Sequence, residues 1–193
     1  MNTFEYIDGR LHCEDVDLSI IGETYGTPSY VYSKKTIQEN AKAYVKSFTN
    51  SNNLACFAVK SLSNLSILNI IKDSGCGFDI VSGGELHRVL SIGAEPKKVI
   101  FSGVGKTKKE IEQGINNGIL SFNVESESEL YRIEKVADEI GSPAPISIRI
   151  NPDIDSGGHD YITTGRKGDK FGVSETKKII DLCKHAHQAK HLK

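Results

Sequence analysis

Ile146-Ser147-Ile148-Arg149-Ile150-Asn151 decides the architecture of this chain. Successive side chains of an extended strand point to opposite faces, so the three isoleucines share one face and Ser147, Arg149 and Asn151 the other. A central strand of an open parallel sheet is covered by helices on both sides and reads as continuously apolar. Here helices can cover one face alone. The polar face suits the interior of a closed (β/α)8 barrel, whose upper layer of side chains carries the active site.

Outward from that strand, two periodicities alternate along the chain. Strand-like segments fall at 29–32, 54–60, 77–81, 99–101 and 121–124. Between them apolar residues recur at helical spacing: Ile37, Ala41, Tyr44, Val45 and Phe48; Leu65, Leu68 and Ile71; Leu86, Val89 and Leu90; Ile111 and Ile115; Leu130, Ile133, Ala137 and Ile140. Residues 174–190 read as one more helix. Such alternation implies a parallel sheet. The expected fold is therefore α/β, an incomplete (β/α)8 TIM-type barrel with about five of its eight strand–helix units. That count leaves two strand edges open, so the expectation is a piece of a longer protein. Residues 1–28 break the rhythm. Phe4 to His12 reads as a short hairpin, and 1–28 is set apart as an amino-terminal β segment from the partial barrel of 29–193.

Composition narrows the function. The 24 basic and 25 acidic residues leave a formal net charge of −1, which argues against nucleic acid or an anionic membrane as principal partner. No apolar run approaches a membrane span, and the amino terminus has no secretion-signal pattern. Cys13, Cys56, Cys76 and Cys183 lack metal-type spacing and read as reduced thiols of a cytoplasmic protein. Gly103-Val-Gly-Lys-Thr107 ends like a phosphate-binding loop, but the motif needs a glycine where Ile100 stands. His185, His187 and His191 have no evident carboxylate or thiolate to complete a metal site, and read as a solvated helix end. Lys106, Lys108 and Lys109 read as an exposed basic turn.

The residues with chemical potential cluster at strand ends. Lys60 closes the apolar run Leu54-Ala-Cys-Phe-Ala-Val-Lys60, and alternation puts it on one face with Leu54, Cys56 and Ala58. Burial disfavours a lysine's charged form, and a neutral amine is the nucleophile for Schiff-base formation. The competing reading is a lysine that reaches solvent from a strand end. Asp79, between Phe78 and Ile80, is one strand away. It is either a satisfied structural carboxylate or a lumen acid. Glu85 suits the first turn of a helix, or a partner behind the site.

Four ordered motifs complete the reading: Cys56-Phe-Ala-Val-Lys-Ser-Leu-Ser-Asn64, Gly77-Phe-Asp-Ile-Val-Ser-Gly-Gly-Glu-Leu86, Phe101-Ser-Gly-Val-Gly-Lys-Thr107 and Arg149-Ile-Asn-Pro-Asp-Ile-Asp155. Together they resemble the diaminopimelate decarboxylase family of the alanine-racemase-like, fold-type III pyridoxal-phosphate enzymes, over nearly the whole chain. The resemblance implies that Lys60 forms the covalent link to pyridoxal 5′-phosphate, that Asp79 and Glu85 lie near it, and that Arg149 is a lumen arginine close to the cofactor. It also implies a lid at 152–169 containing His159, followed by the typical tripeptide Lys170-Phe-Gly172. Gly158, Asp160 and residues 166–169 depart from the family pattern there.

The implied activity is decarboxylation of meso-2,6-diaminopimelate to L-lysine, in lysine biosynthesis. Two alternatives stand beside it: a sister decarboxylase of ornithine, arginine or carboxynorspermidine, and a non-catalytic pyridoxal-phosphate-binding or regulatory relative. The resemblance further implies a homodimer in which 1–28 packs with a carboxy-terminal β domain. The ring-stacking histidine, the phosphate site, the glutamate facing the ring nitrogen, and a cysteine and tyrosine from the β domain then lie outside these 193 residues. The chain alone is expected to be inactive.

Overall fold

The computed structural model describes residues 3–47, 52–154 and 172–193. They form two compact units, one of Met1–Ala55 with Asn64–Cys76, the other of Cys56–Ser63 with Gly77–Lys193.

The first unit opens with the expected hairpin, β1 (Phe4–Ile7) and β2 (Arg10–Cys13), paired antiparallel. Its two-residue turn, Asp8-Gly9, has φ of 49° and 78°, the left-handed pair that a tight hairpin requires and that Asp-Gly supplies. Two elements that the sequence did not announce follow: β3 (Val16–Asp17), paired with β2, and α1 (Leu18–Tyr25). Asp17 caps α1, accepting the Ser19 N–H at 2.8 Å and pairing with Arg10 at 3.0 Å. The Ser19 hydroxyl and N–H, and then Arg10, hold its pKa down at about 2. Next come α2 (Lys34–Lys46), capped by Ser33, and α3 (Leu65–Asp73), capped by Asn64 and packed against α2. Glu14 Oε1 accepts both the Ser33 hydroxyl and the Lys35 N–H at 2.8 Å, fastening the start of α2.

One expectation fails here. Residues 29–32 form no strand. Tyr30 is 90% exposed, and no strand among the described residues pairs with this stretch. β-branched and aromatic residues favour a pleated surface only where a neighbouring strand takes up their backbone groups.

The second unit carries the α/β alternation. In order it contains β4 (Cys56–Ala58), a 3-10 turn (Val59–Ser61), β5 (Gly77–Ile80), α4 (Gly83–Ser91), a 3-10 turn (Pro96–Lys98), β6 (Val99–Phe101), α5 (Lys108–Asn117), β7 (Ser121–Val124), α6 (Glu127–Ile140), β8 (Ile146–Ile148) and α7 (Thr176–Gln188). The five strands make one parallel sheet in the order β4-β5-β6-β7-β8. Beyond β8, Ala144 and Ile146 donate to the carbonyls of His191 and Lys193, each at 2.8 Å. Among the described residues, no helix is long and apolar enough to cross a membrane.

Alternation along the strands sorts side chains by face. Phe78, Ile80, Val99, Phe101, Phe122 and Val124 are buried against helix residues such as Leu86, Ile111, Leu130 and Ile133. Each large side chain so buried contributes about 1.5–3 kcal/mol. Gly114 lets α5 approach the sheet: a Cβ there would stand 2.5 Å from the Phe122 ring. The other face presents Asp79, Asn123 and Ser147, none fully buried. The alternation is realised over the regular strand, Ile146–Ile148, but not past it, where Ile150 is 54% exposed against the expectation of a helix-covered isoleucine. Asn151, beyond it, is buried and accepts the Asp153 N–H through Oδ1.

Three helices on this sheet start alike. Ser82, Thr107 and Ser126 cap α4, α5 and α6, each accepting the N–H of a glutamate three residues on: Glu85, Glu110 and Glu129. Hydroxyl and glutamate at that spacing satisfy the unpaired donors of a helix start.

Candidate functional site

The carboxyl ends of the strands open onto a cleft of about 480 Å³, lined by Lys60, Asp79, Ser102, Asn123, Glu125, Ser147 and Arg149 among others. A cavity of that size holds a small organic molecule. All of its lining belongs to the second unit. The three residues singled out from the sequence, Lys60, Asp79 and Arg149, therefore meet in one place although they are spread over ninety positions of the chain.

Lys60 arrives there differently from expectation. β4 ends at Ala58, and Lys60 sits in the 3-10 turn that follows. Its neighbour Val59 is fully buried while Lys60 is exposed. The turn rotates the chain by a third of a circle per residue rather than a half. Strand alternation therefore no longer governs which way Lys60 points, and the buried lysine of the sequence reading is instead a lysine presented to the cleft.

Asp79 is a connected carboxylate. The Ser102 hydroxyl donates to its Oδ1 at 2.5 Å, and Asn123 Nδ2 donates to the Ser102 oxygen at 2.9 Å. This chain crosses β5, the end of β6 and β7. Glu85 serves the helix rather than the cleft: its Oε2 accepts the Val81 N–H at 2.7 Å, closing the start of α4.

Arg149 extends from the residue after β8 and pairs with Glu125 at 3.0 Å and 3.3 Å to the two carboxylate oxygens. Glu125 is 2% exposed at its side chain, Arg149 40%. Glu125 also accepts the Gly103 N–H at 3.3 Å, and its own N–H is held by Glu129 Oε2 at 2.7 Å. Glu129 in turn receives the ammonium of Lys106 at 2.8 Å. The exposed basic turn expected at 106–109 is thus corrected at its first member, for Lys106 is among the most deeply buried side chains of the protein. Lys108 is exposed as expected, and pairs with Glu139 at 2.7 Å.

Ser102, Asn123, Glu125 and Glu129 were not singled out from the sequence. The signal that could have found Glu129 is the recurring hydroxyl-x-x-Glu spacing at 82–85, 107–110 and 126–129, whereas Glu125 carries no such signal. At the third of these the glutamate, Glu129, holds the N–H of the cleft residue Glu125 from behind. Glu110 makes a further link: burial pushes its carboxyl up, but the Gly83 N–H, the Thr107 N–H and the Thr107 hydroxyl outweigh it and hold the pKa down.

The histidines at the end of the chain also differ from expectation. His185 lies 2.6 Å from Glu134, and His191, beyond α7, lies 2.8 Å from Asp138, so both are tied to α6 rather than merely solvated. No group of metal-binding side chains occurs among the described residues. None of the four cysteines forms a disulfide, and burial pushes the thiols of Cys13 and Cys76 up. The lid at 152–169, with His159, falls almost wholly outside the described residues, as do Lys170 and Phe171. Gly172 is described: at φ 81°, a Cβ would stand 3.0 Å from the Arg149 carbonyl oxygen, so only glycine fits without displacement.

Comparison with known proteins places this geometry. The family described as "Pyridoxal-dependent decarboxylase, pyridoxal binding domain" matches residues 34–193. Diaminopimelate decarboxylase of Pseudomonas aeruginosa is 50% identical over 174 residues, covering 90% of this chain and 42% of that protein. The enzyme of Haemophilus influenzae is 50% identical over 185 residues, covering 95% and 45%. The crystal structure of diaminopimelate decarboxylase from Helicobacter pylori complexed with L-lysine superposes with a TM-score of 0.88 at 42% identity, covering 92% of this chain and 45% of that one. The chain thus spans less than half the length of these relatives.

Proposed function

This chain belongs to the family of pyridoxal-dependent decarboxylases through their pyridoxal-binding domain, and from that premise we propose that it supplies the lysine-bearing part of a diaminopimelate decarboxylase, with Lys60 as the cofactor lysine and Asp79 and Arg149 as cofactor-site residues. One observation carries the reading. In a chain about half identical to such enzymes over nine-tenths of its length, an exposed primary amine, a hydrogen-bonded carboxylate and a paired guanidinium line one cleft of suitable size.

The donor set fits pyridoxal 5′-phosphate. Lys60 offers an amine open to an aldehyde, Asp79 an oriented negative charge, and Arg149 a cation that reaches the cleft. When bound, the cofactor supplies a sink for the electron pair left as carbon dioxide departs from the α-carbon. The protein's part is positioning. The 3-10 turn seats the Lys60 amine on the cleft lining, where it would hold the cofactor within reach of a substrate amine. The Ser102–Asn123 chain fixes the Asp79 carboxylate, so its charge is placed before any ligand arrives. Glu125 aims Arg149 along a two-oxygen contact, which restricts a long side chain at little further entropy cost. On this reading the five-stranded sheet is an arc of a (β/α)8 barrel, and the whole protein is a cytoplasmic homodimer that acts on a small amino acid and on neither nucleic acid nor membrane. Residues 1–28 pack with a carboxy-terminal β domain, and this chain alone is inactive.

The test is borohydride reduction of the full-length protein after adding pyridoxal phosphate, then peptide mass mapping. Labelling at Lys60 is expected, together with carbon dioxide release from meso-diaminopimelate in preference to ornithine or arginine. A label on any other lysine, or preferred turnover of ornithine, would sink the assignment.

A further inference from the structure

Lys106 stands behind the cleft, not in it. Its side chain has no exposure, and its three N–H donors are all used: to the Gly103 carbonyl at 2.7 Å, the Asn123 carbonyl at 2.8 Å and Glu129 Oε1 at 2.8 Å. Gly103 and Asn123 line the cleft. Glu129 holds the N–H of Glu125, a third lining residue, which carries Arg149. One ammonium that never reaches the cleft thus fastens three of its wall residues, on the loop after β6 and along and just beyond β7.

The charges agree with the geometry. The Glu125 and Glu129 side chains are 2% and 5% exposed, and an uncompensated carboxylate at such sites is costly. Lys106 and Arg149 supply one positive charge to each.

We propose that Lys106 is a positioning residue, which holds Glu125, and through it Arg149, in the orientation that cofactor binding at Lys60 requires. The cofactor clause rests on the function proposed above. The positioning itself does not.

The experiment uses the full-length protein with K106M, K106M/E129Q and E129Q. The single K106M leaves Glu129 a buried charge without its counter-ion, whereas the double variant removes both charges and keeps the shape. In the double variant the thermal midpoint is expected close to that of the parent. The Gly103 and Glu125 amides should exchange with deuterium about ten-fold faster or more, while those of Phe101 and Phe122 do not change. The dissociation constant of pyridoxal phosphate, read from its visible absorbance, should rise about ten-fold or more. E129Q, which keeps Lys106, should accelerate exchange at Glu125 and spare Gly103. Parent-like exchange or parent-like affinity in the folded double variant overturns the proposal. Loss of fold in both K106M and K106M/E129Q also overturns it, because Lys106 is then a general stabilising residue. If the parent is not labelled at Lys60, the functional reading fails, and the exchange measurements still decide what Lys106 holds.

Discussion

The Arg149 guanidinium lies 3.0 Å from a Glu125 carboxylate that is almost wholly removed from water, while Arg149 itself remains 40% exposed. The pair is thus rigid at one end and accessible at the other. Glu125→Gln should lower stability by about 1–2 kcal/mol, less than a fully buried pair would lose because water reaches the arginine. Urea midpoints measure this, and an unchanged midpoint would show that the pair contributes nothing to the fold.

Lys60 should show the opposite separation. It is exposed and sits in a turn, so Lys60→Ala is expected to shift stability by no more than about 0.5 kcal/mol. The same substitution should abolish borohydride-stable incorporation of pyridoxal phosphate into the full-length protein. A large loss of stability would make Lys60 a structural residue.

Gly114 is a packing glycine. With a Cβ placed 2.5 Å from the Phe122 ring, Gly114→Ala should cost about 1–3 kcal/mol through overpacking. Gly114→Ala combined with Phe122→Leu should cost less than the two single changes together, since the smaller side chain vacates the contested space. Strict additivity in that double-mutant cycle would contradict the contact.

Asp17 predicts an acid limb. Its folded pKa is depressed from 3.8 to about 2, so its stabilisation is complete above the unfolded value and lost as pH falls through the folded one. Glu14 is depressed too, first by the Lys35 N–H and then by the Ser33 hydroxyl. A carboxyl-carbon NMR titration should find Asp17 titrating near pH 2 in the folded protein. Asp17→Asn should remove its share of the stability loss on acidification, and titration near 4 would refute the cap.

The residues legible in advance were those whose meaning is local. Val99–Phe101 and Ser121–Val124 were read at their observed bounds, and the helical spacings at Leu86, Ile111 and Leu130 point into the core as expected. Lys60, Asp79 and Arg149 were legible because each breaks an apolar pattern near a strand end. Residues 29–32 misled because composition cannot report whether a partner strand is near. Lys106 misled because one charged residue before Lys108 and Lys109 looks like solvent-exposed sequence.

The lysine at position 60 marks the boundary between the two kinds of knowledge. By itself the sequence determined the β/α alternation, the two faces of the strand over 146–148 and the three residues that meet at the cleft, because side-chain periodicity is set by neighbours a few positions away. Only the tertiary structure decided that Lys60 is presented on a turn, that Lys106 is buried and that Glu125 and Glu129 join the site. The burial of a charge depends on which acceptors the fold brings near it. For Lys106 and Arg149 those include acceptors 17, 23 and 24 residues away along the chain.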